Sequence, residues 1–361
     1  MGQRSVRAGR GALSNRGSRY QPTQVDWDDG IEGPTPVTEC RAVDARSIIS
    51  RNTSPDIPFS LSINPYQGCE HGCIYCYARP THAYLDLSPG IDFETRLTCK
   101  RNAAALLERE LARPGYECSC ITLGANTDPY QPVEKEHRIT RQLLEVLQRR
   151  RHPVAIITKG ALVTRDIDIL GEMAADGLCS VALSITTLDA NLKRNLEPRA
   201  ASGPARLAAV EALASAGVPV TVLFAPVIPA LNDSEMETIL ARSHNAGATA
   251  AAYILLRLPR EIRELFFEWL QHHYPLRAQH VISVLRQCRG GVDYDNRFGH
   301  RMRGTGAFAE LLSQRFKVAC KRLGLASGEG SGSAARTDLF TPPTGRGGAT
   351  AQDNSGQFEM F

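Results

Sequence analysis

The sequence has no apolar run of 18 residues and no signal-peptide pattern, so it predicts neither a membrane-spanning helix nor secretion. Its ten cysteines among 361 residues are too sparse for a secreted disulfide scaffold. The net charge is only +4, which confines any nucleic-acid role to a local basic surface. We therefore expect a protein of the reducing cytoplasm, without membrane association, in which thiolates stay available for metal binding.

The two ends of the chain lack the composition of a packed core. Residues 1–22 hold five arginines, four glycines and no acidic residue. A mitochondrial transit peptide is also arginine-rich, but the glycines disfavour an amphipathic helix, so a flexible basic arm is favoured. Residues 326–361 are rich in Gly, Ser, Thr and Pro and predict a disordered tail.

Between these ends, apolar segments typical of buried strands alternate with helical segments. The predicted strands lie at 59–64, 120–126, 154–160, 180–187, 218–228 and 250–258. Strands that alternate with helices of ten or more residues indicate parallel βα units, and continuous Val, Ile and Leu runs indicate burial on both faces. The predicted organisation is an N-terminal extension (1–50), an α/β domain of six βα units (55–275), a C-terminal helical segment (276–325) and the tail (326–361).

The most informative segment is 64–80, NPYQGCEHGCIYCYARP, in which Cys69, Cys73 and Cys76 have the spacing C-x3-C-x2-C. Chance would produce this spacing in roughly one of a hundred chains with ten cysteines, so the pattern indicates a selected site. Four soft ligands would close a tetrahedral zinc or iron–sulfur site. Three ligands leave one coordination position open, which is typical of a catalytic centre.

The competing interpretation of these cysteines is a zinc site. Zinc would need a fourth ligand, for which His71 and His82 are the candidates. Zinc loops favour paired C-x2-C halves, however, and Cys118 and Cys120 form only a C-x-C. The spacing therefore favours iron–sulfur over zinc.

The loop resembles that of the radical S-adenosylmethionine (radical SAM) superfamily, which has the form C-x3-C-x-aromatic-C, here Cys69, Cys73, Tyr75 and Cys76 after the first predicted strand. The resemblance implies an α/β fold, a partial (β/α)6 TIM-like barrel. It also implies a [4Fe–4S] cluster on the three cysteines, with S-adenosylmethionine on the fourth iron. An external one-electron donor would reduce the cluster, and cofactor cleavage would then yield methionine and a 5′-deoxyadenosyl radical.

The resemblance also assigns roles to residues at the carboxyl ends of the predicted strands, where such barrels place their sites. Members often bind the methionyl amine through a Gly-Gly-Glu motif, and this chain offers Asn126 or Asp128 instead. Lys159 would face the cofactor carboxylate, and Ser184 would bond the ribose. Asp128 precedes Pro129 and is equally consistent with a turn, while Lys159 alone is consistent with a solvated side chain.

Five more residues complete the predicted cofactor site. Glu197 and Arg199 are spaced to face one site, although a surface ion pair would have the same spacing. Val227 and Ile228 are candidates to pack on adenine. Tyr75, the aromatic residue of the motif, is assigned to the cofactor with them.

Within the superfamily, residues 60–275 look like spore photoproduct lyase and its relatives. The similarity lies in GCIYCYA, the "TK" after the third strand, the serine of the fourth strand and EP…RLAAVEALASAG. The lyase branch implies catalytic roles for tyrosines beside the last cluster cysteine, here Tyr75 and Tyr77. It also implies a hydrogen-donor thiol, for which Cys120 or Cys118 is the candidate, although a thiol beside a strand is often a small core residue.

The leading functional hypothesis is radical chemistry on a DNA or RNA base lesion or modified base. The basic segments 147–152 and 296–304 are candidate nucleic-acid contacts. The alternatives are radical chemistry on a small molecule or protein, and a non-catalytic iron–sulfur protein that senses redox state or binds a clamp. The last alternative comes from the terminal QFEMF, which resembles a sliding-clamp peptide in Gln357, Phe358, Met360 and Phe361.

Overall fold

The computed structural model describes residues 9–17, 19–20, 37–327 and 336–343. Within them the strands are β1 (Glu39–Val43), β2 (Ile49–Arg51), β3 (Leu61–Ile63), β4 (Tyr66–Gln67), β5 (Arg96–Lys100), β6 (Ile121–Leu123), β7 (Val154–Thr158), β8 (Cys179–Ser184), β9 (Val220–Val227), β10 (Ala250–Leu255) and β11 (Ala326–Ser327). The helices are α1 (Asp92–Thr95), α2 (Ala103–Leu111), α3 (Glu134–His137), α4 (Ile139–Arg149), α5 (Ile167–Ala175), α6 (Ala190–Leu196), α7 (Gly203–Ser215), α8 (Met236–Asn245), α9 (Ile262–His273), α10 (Pro275–Gln287) and α11 (Ala307–Leu323).

The main sheet has eight strands in the order β11-β10-β9-β8-β7-β6-β3-β2. Its six central strands, β3 and β6 to β10, are all parallel, and helices connect β6 to β10 in sequence. Strand β2 pairs antiparallel with β3 at one edge, and the short β11 forms the other edge. Among the described residues no pairing joins these edges, so the sheet is open. The predicted partial barrel of six parallel strands is confirmed.

In β7, β8 and β9 buried side chains alternate with half-buried ones, so one face of these strands lies in the core and the other is only partly covered. The expected burial on both faces is found in β3 and β6. Ile156, Val181 and Val222 are 0% exposed and lie in the same core cluster. Burial of each such side chain stabilises the fold by about 1.5–3 kcal/mol. The carboxyl ends of these parallel strands therefore lie along one edge of a rigid sheet, and the loops that follow them are held near one another.

The predicted helix 134–151 is divided in two by Arg138, which adopts a left-handed backbone conformation with φ 51°. The carboxylate of Glu134 accepts a hydrogen bond of 3.0 Å from the amide of Thr140, in the first turn of α4. That bond satisfies an amide that would otherwise have no partner at the start of the helix. The periodic apolar residues on both sides of Arg138 gave no signal of this break.

A second, three-stranded sheet has the order β1-β5-β4 and was not predicted. Strand β1 lies inside the predicted N-terminal extension and pairs parallel with β5. Strand β4 pairs antiparallel with β5 and leads directly into the first loop cysteine. Its strands are short and half polar, ECRAV and RLTCK, so they lack the apolar runs that identify buried strands.

Within the predicted tail, residues 336–343 contact the domain. The ring of Phe340 packs against Tyr116 and His152, and the amide of Thr341 donates to the carbonyl of Arg150 at 2.8 Å. None of the helices in the described ranges is long and apolar enough to cross a membrane. The predicted domain boundaries otherwise stay predictions.

Candidate functional site

The cysteine loop, residues 64–80, follows the carboxyl end of β3 and is largely buried. Cys69 and Cys73 are each 7% exposed, and Cys76 is half-buried. The amide of Cys69 donates to the carbonyl of Phe93 at 2.9 Å. Burial raises the pKa of all three thiols, so these groups need a bound cation to stay as thiolates.

The spacing of the three sulfur atoms tests which metal centre fits. A single tetrahedral zinc ion, with Zn–S bonds of about 2.3 Å, would bring its sulfur ligands to roughly 3.8 Å from one another. In the described part of the chain, one group of three Cys, His or acidic residues has its ligand atoms within 4.8 Å of one another, and it contains none of the loop cysteines. The loop therefore fits a larger polynuclear cluster better than a single ion.

Each of the two histidines considered as zinc ligands has one ring nitrogen in contact with another residue. The Nδ1 atom of His71 lies 3.3 Å from a carboxylate oxygen of Asp128. The Nε2 atom of His82 lies 2.9 Å from the carbonyl oxygen of Arg96. A zinc-bound histidine commonly has its second ring nitrogen hydrogen-bonded in this way, so these contacts do not decide between zinc and iron–sulfur.

A buried ion pair holds the cysteine loop in position. The guanidinium of Arg79 donates to the carboxylate of Glu94 at 2.6 Å, and both side chains are 0% exposed. Arg79 also donates through Nε to the carbonyl of Cys73 at 2.9 Å. The position of a loop cysteine is thus tied to a buried charge that can move only at high energetic cost.

The N-terminal segment 9–17, predicted to belong to a flexible arm, is docked on this ion pair. The amides of Gly11 and Ala12 donate to the carboxylate of Glu94 at 3.0 and 2.8 Å. A Cβ atom on Gly11 would lie 1.7 Å from the carbonyl oxygen of Gly72 in the cysteine loop. Only glycine permits this approach, so the segment covers the loop in direct backbone contact.

Four predicted cofactor residues from different elements form one network. The ammonium of Lys159 donates to Ser184 Oγ at 2.6 Å and lies 3.5 Å from Glu197 Oε1. The hydroxyl of Tyr75 donates to the same carboxylate, and Lys159 lies 5.6 Å from the Tyr75 ring centroid. Burial alone would raise the pKa of Glu197, but neighbouring cations and hydroxyls hold it well below its usual range.

Arg206 and Thr186 belong to this network and were missed in the sequence. The guanidinium of Arg206 is 1% exposed; it pairs with Glu197 and donates to the carbonyl of Ser184 at 2.9 Å. Thr186 donates to Glu197 at 2.6 Å. The signal that could have revealed Arg206 is a charged residue in the apolar, alanine-rich helix α7, GPARLAAVEALAS.

The two candidates for binding the methionyl amine, Asp128 and Asn126, differ in the hydrogen bonds that their side chains already form within the protein. Asp128 accepts from Thr158 Oγ1 at 2.6 Å and from the amide of Lys159 at 2.7 Å, in addition to His71. Burial opposes ionisation of Asp128, but these donors keep its pKa below the usual value. The side-chain amide of Asn126 forms no hydrogen bond within the described residues. Asn126 is therefore the freer group for a ligand.

The structure does not bring every predicted residue to this network. Arg199 donates to Glu70 at 2.6 Å and does not pair with Glu197, which corrects the expectation that the two face one site. Val227 and Ile228 are 0% exposed and packed in the protein core. Cys120 precedes β6 at the amino end of the sheet, as does Cys118. Because the cysteine loop follows the opposite strand ends, this location does not support a hydrogen-donor role for either thiol.

Tyr77 connects the loop to an exposed surface rich in arginine and aromatic residues. Its hydroxyl donates to the carbonyl of Ala125, and the Arg257 guanidinium lies 5.7 Å from its ring centroid. Arg257 also reaches the hydroxyl of Tyr294 and the sulfur of Met302, both at 3.4 Å. The predicted basic segment 296–304 therefore lies beside the cysteine loop.

Comparisons with known proteins agree with this architecture. Residues 63–242 match the family model described as the radical SAM superfamily. An uncharacterised protein of Mycobacterium tuberculosis is 39% identical over 221 residues, which cover 61% of this chain and 65% of that protein. An uncharacterised protein of Methanocaldococcus jannaschii is 30% identical over 173 residues, covering 48% of this chain and 62% of that protein. The matched region thus spans less than two thirds of each relative.

Solved structures of one enzyme share the fold. Spore photoproduct lyase complexed with dinucleoside spore photoproduct superimposes with a TM-score of 0.56 at 14% identity, over 83% of this chain and 87% of that one. A doubly substituted mutant of the lyase with bound AdoMet and dinucleoside spore photoproduct gives a TM-score of 0.55 at 16% identity, over 80% and 81% of the two chains. At this identity the likeness concerns the fold.

Proposed function

The chain belongs to the radical SAM superfamily, whose cofactors are a [4Fe–4S] cluster and S-adenosylmethionine, and from this premise we propose that it is a radical SAM enzyme acting on a nucleic-acid base. When bound and reduced by an external donor, the cluster with S-adenosylmethionine supplies a 5′-deoxyadenosyl radical. Cys69, Cys73 and Cys76 would hold the cluster. The observation that most supports the proposal is that the cysteine loop meets the Lys159 network, through Tyr75, at one edge of the sheet.

The residues of the network have separable tasks toward the cofactor. Lys159 offers the cation for its carboxylate, and Asn126 offers an unengaged amide for its amine. Glu197 and Arg206 act through their neighbours: they fix Lys159, Ser184 and Tyr75 by buried hydrogen bonds. Such buried, mutually bonded groups hold a ligand site in one geometry before the ligand arrives.

The nucleic-acid part of the proposal is supported by the surface next to Tyr77. Phe298 is 57% exposed, and the Arg301 guanidinium, held by Asp56 and Ser54, lies 4.6 Å from its ring centroid. Arg303, in the same segment, has an exposed side chain. Exposed aromatic rings beside arginine are suited to stack bases and to bind phosphate. The other basic segment, 147–152, comprises the end of α4 and the turn before the amino end of β7, so it lies at the opposite edge of the sheet. The clamp-like residues Gln357, Phe358, Met360 and Phe361 lie outside the described residues, and clamp binding stays a proposal.

The test is binding of a fluorescent single-stranded oligonucleotide by the reconstituted protein under anaerobic conditions. A variant with Phe298→Ala and Arg303→Ala should bind about tenfold more weakly, with a smaller salt dependence. The matched control, Arg149→Ala with Arg151→Ala, changes the distant basic segment and should bind as the wild type does. Equal loss in both double variants, or no binding by the wild type, would reject a nucleic-acid substrate while leaving the cofactor assignment untouched.

A further inference from the structure

A second set of soft ligands meets away from the cysteine loop. Cys40 lies on β1, Cys99 on β5, and His137 is the last residue of α3. Their sulfur and ring-nitrogen ligand atoms all lie within 4.8 Å of one another. We propose that these three residues bind a zinc ion that is separate from the loop cluster.

The pairing of two strands brings the thiols together. Strands β1 and β5 are parallel, and their register places Cys40 opposite Leu97 and Ala42 opposite Cys99. Residues in register, and those two positions further on, project from the same face of a sheet. Cys40 and Cys99 therefore share one face of the three-stranded sheet, and α3 brings its histidine to that face.

The donor set matches zinc. Two thiolates and one imidazole are typical zinc ligands, and bond lengths of about 2.3 Å to sulfur and 2.0 Å to nitrogen place ligand atoms roughly 3.5–3.8 Å apart. Binding converts two thiols to thiolates and releases their two protons to solvent, with no change of oxidation state. Cys40 and His137 are half-buried, so water can enter and fill the fourth position.

The imidazole of His137 is not committed elsewhere. Within the part of the chain that the structure describes, neither of its ring nitrogens takes part in a hydrogen bond or an ion pair. The buried histidines His71, His82 and His152 each have such a partner. Glu136, the exposed neighbour of His137, adds a negative charge that acts on Cys40 and favours a dication there.

Because water fills the fourth position, this is not a closed structural zinc site, but its location lets the ion hold neighbouring elements together. Cys99 is in register with Tyr66 of β4, which lies within the cysteine loop, three residues before Cys69. The Tyr66 hydroxyl donates to Glu134, the first residue of α3, at 2.5 Å. An ion bound by Cys40, Cys99 and His137 would hold β1, β5 and α3 together beside the first residues of the cysteine loop. This role does not depend on the substrate or on radical chemistry.

The experiment measures zinc and iron together in the full-length protein. The anaerobically reconstituted protein is incubated with zinc chloride, desalted, and analysed for both metals by mass spectrometry. Variants are Cys40→Ser and His137→Gln, both at half-buried positions that tolerate a polar replacement. Controls are Cys118→Ser, another half-buried thiol, and His280→Gln, an exposed histidine.

The wild type and both controls should retain about one zinc per chain beyond the cluster iron. Each site variant should bind zinc at least about tenfold more weakly, with its iron content unchanged. Equal zinc retention in all five proteins, or no zinc in the wild type, would overturn the proposal. A disulfide between Cys40 and Cys99 in anaerobically purified protein, detected by peptide mapping, would overturn it as well.

Discussion

The ammonium group of Lys159, the residue after β7, donates a hydrogen bond of 2.6 Å to the hydroxyl of Ser184, the last residue of β8. The contact exists because β7 and β8 are parallel neighbours whose carboxyl ends lie side by side. It places a cation near the buried thiols and beside Tyr75. This arrangement makes the cofactor role of Lys159 directly testable.

Lys159→Met should weaken S-adenosylmethionine binding by about tenfold or more, because a charge-assisted hydrogen bond to a carboxylate contributes roughly 1.5–3 kcal/mol. Calorimetric titration of the reconstituted protein measures this affinity, and iron analysis verifies that the cluster is retained. Lys135→Met, on the exposed side of α3, serves as the control and should bind the cofactor normally. Unchanged affinity in Lys159→Met would exclude the proposed contact.

Glu197→Gln should destabilise the fold by about 3 kcal/mol, because it leaves the buried guanidinium of Arg206 without its counter-charge. Urea unfolding of the cluster-free protein measures the loss. Asp44→Asn breaks the exposed pair with Arg101 and should cause no measurable change. In the double variant Glu197→Gln with Arg206→Met, the loss should be smaller than the sum of the single losses, and simple additivity would show that the two residues are not coupled.

Gly11→Ala should release the N-terminal segment from the cysteine loop, because the added methyl group would overlap the carbonyl oxygen of Gly72. We expect faster proteolytic cleavage within residues 9–20 and faster loss of iron from the reconstituted protein in air. Gly17→Ala is the matched control, since a Cβ atom there meets no atom within 4 Å. Identical cleavage and iron loss in the two variants would show that the segment does not protect the loop.

The buried imidazole of His152 should make the fold less stable as the pH falls. Burial lowers the pKa of His152 from 6.5 to about 4, so the unfolded chain binds a proton first as the pH falls below 6.5. This histidine therefore contributes stability above pH 6.5, and up to about 3 kcal/mol is lost as the pH approaches 4.

Replacing His152 by Asn should remove that component of the pH dependence. Urea unfolding at several pH values should show a loss between pH 6.5 and 4 that is smaller than that of the wild type by up to about 3 kcal/mol. His280→Asn, at an exposed position, should follow the wild-type curve. Parallel curves for all three proteins would rule out His152 as the source.

The sequence allowed the parallel sheet and the strand-end residues to be predicted, because apolar runs alternate with helices and a strand end has a defined position in the chain. Lys159 and Ser184 were proposed in this way, whereas Glu197, which follows α6, was proposed from its sequence spacing; the structure brings all three side chains into one network. Arg206 was missed because it lies on a helix and reaches back to the strand ends only after α7 packs on the sheet. The zinc ligands were missed because Cys40 and Cys99 meet through a short, half-polar strand pair that leaves no periodic signal.

Two expectations lack support, for different reasons. Cys120 was considered for catalysis from its place beside a strand, but it begins the predicted strand 120–126, and in a parallel sheet that position lies at the amino end, away from the cysteine loop. Arg199 was paired with Glu197 from their spacing, but the turn after α6 directs its guanidinium to Glu70. Side-chain partners across loops depend on tertiary packing, which spacing alone does not determine.

The most direct test of the radical SAM assignment is formation of 5′-deoxyadenosine from S-adenosylmethionine by the anaerobically reconstituted, dithionite-reduced protein. The wild type and the control Cys118→Ser should form the nucleoside, whereas Cys69→Ser, Cys73→Ser and Cys76→Ser should form none and should lose the cluster absorbance. A fully loaded cluster that yields no nucleoside, with or without oligonucleotide, or nucleoside formation that survives loss of a loop cysteine, would contradict the assignment.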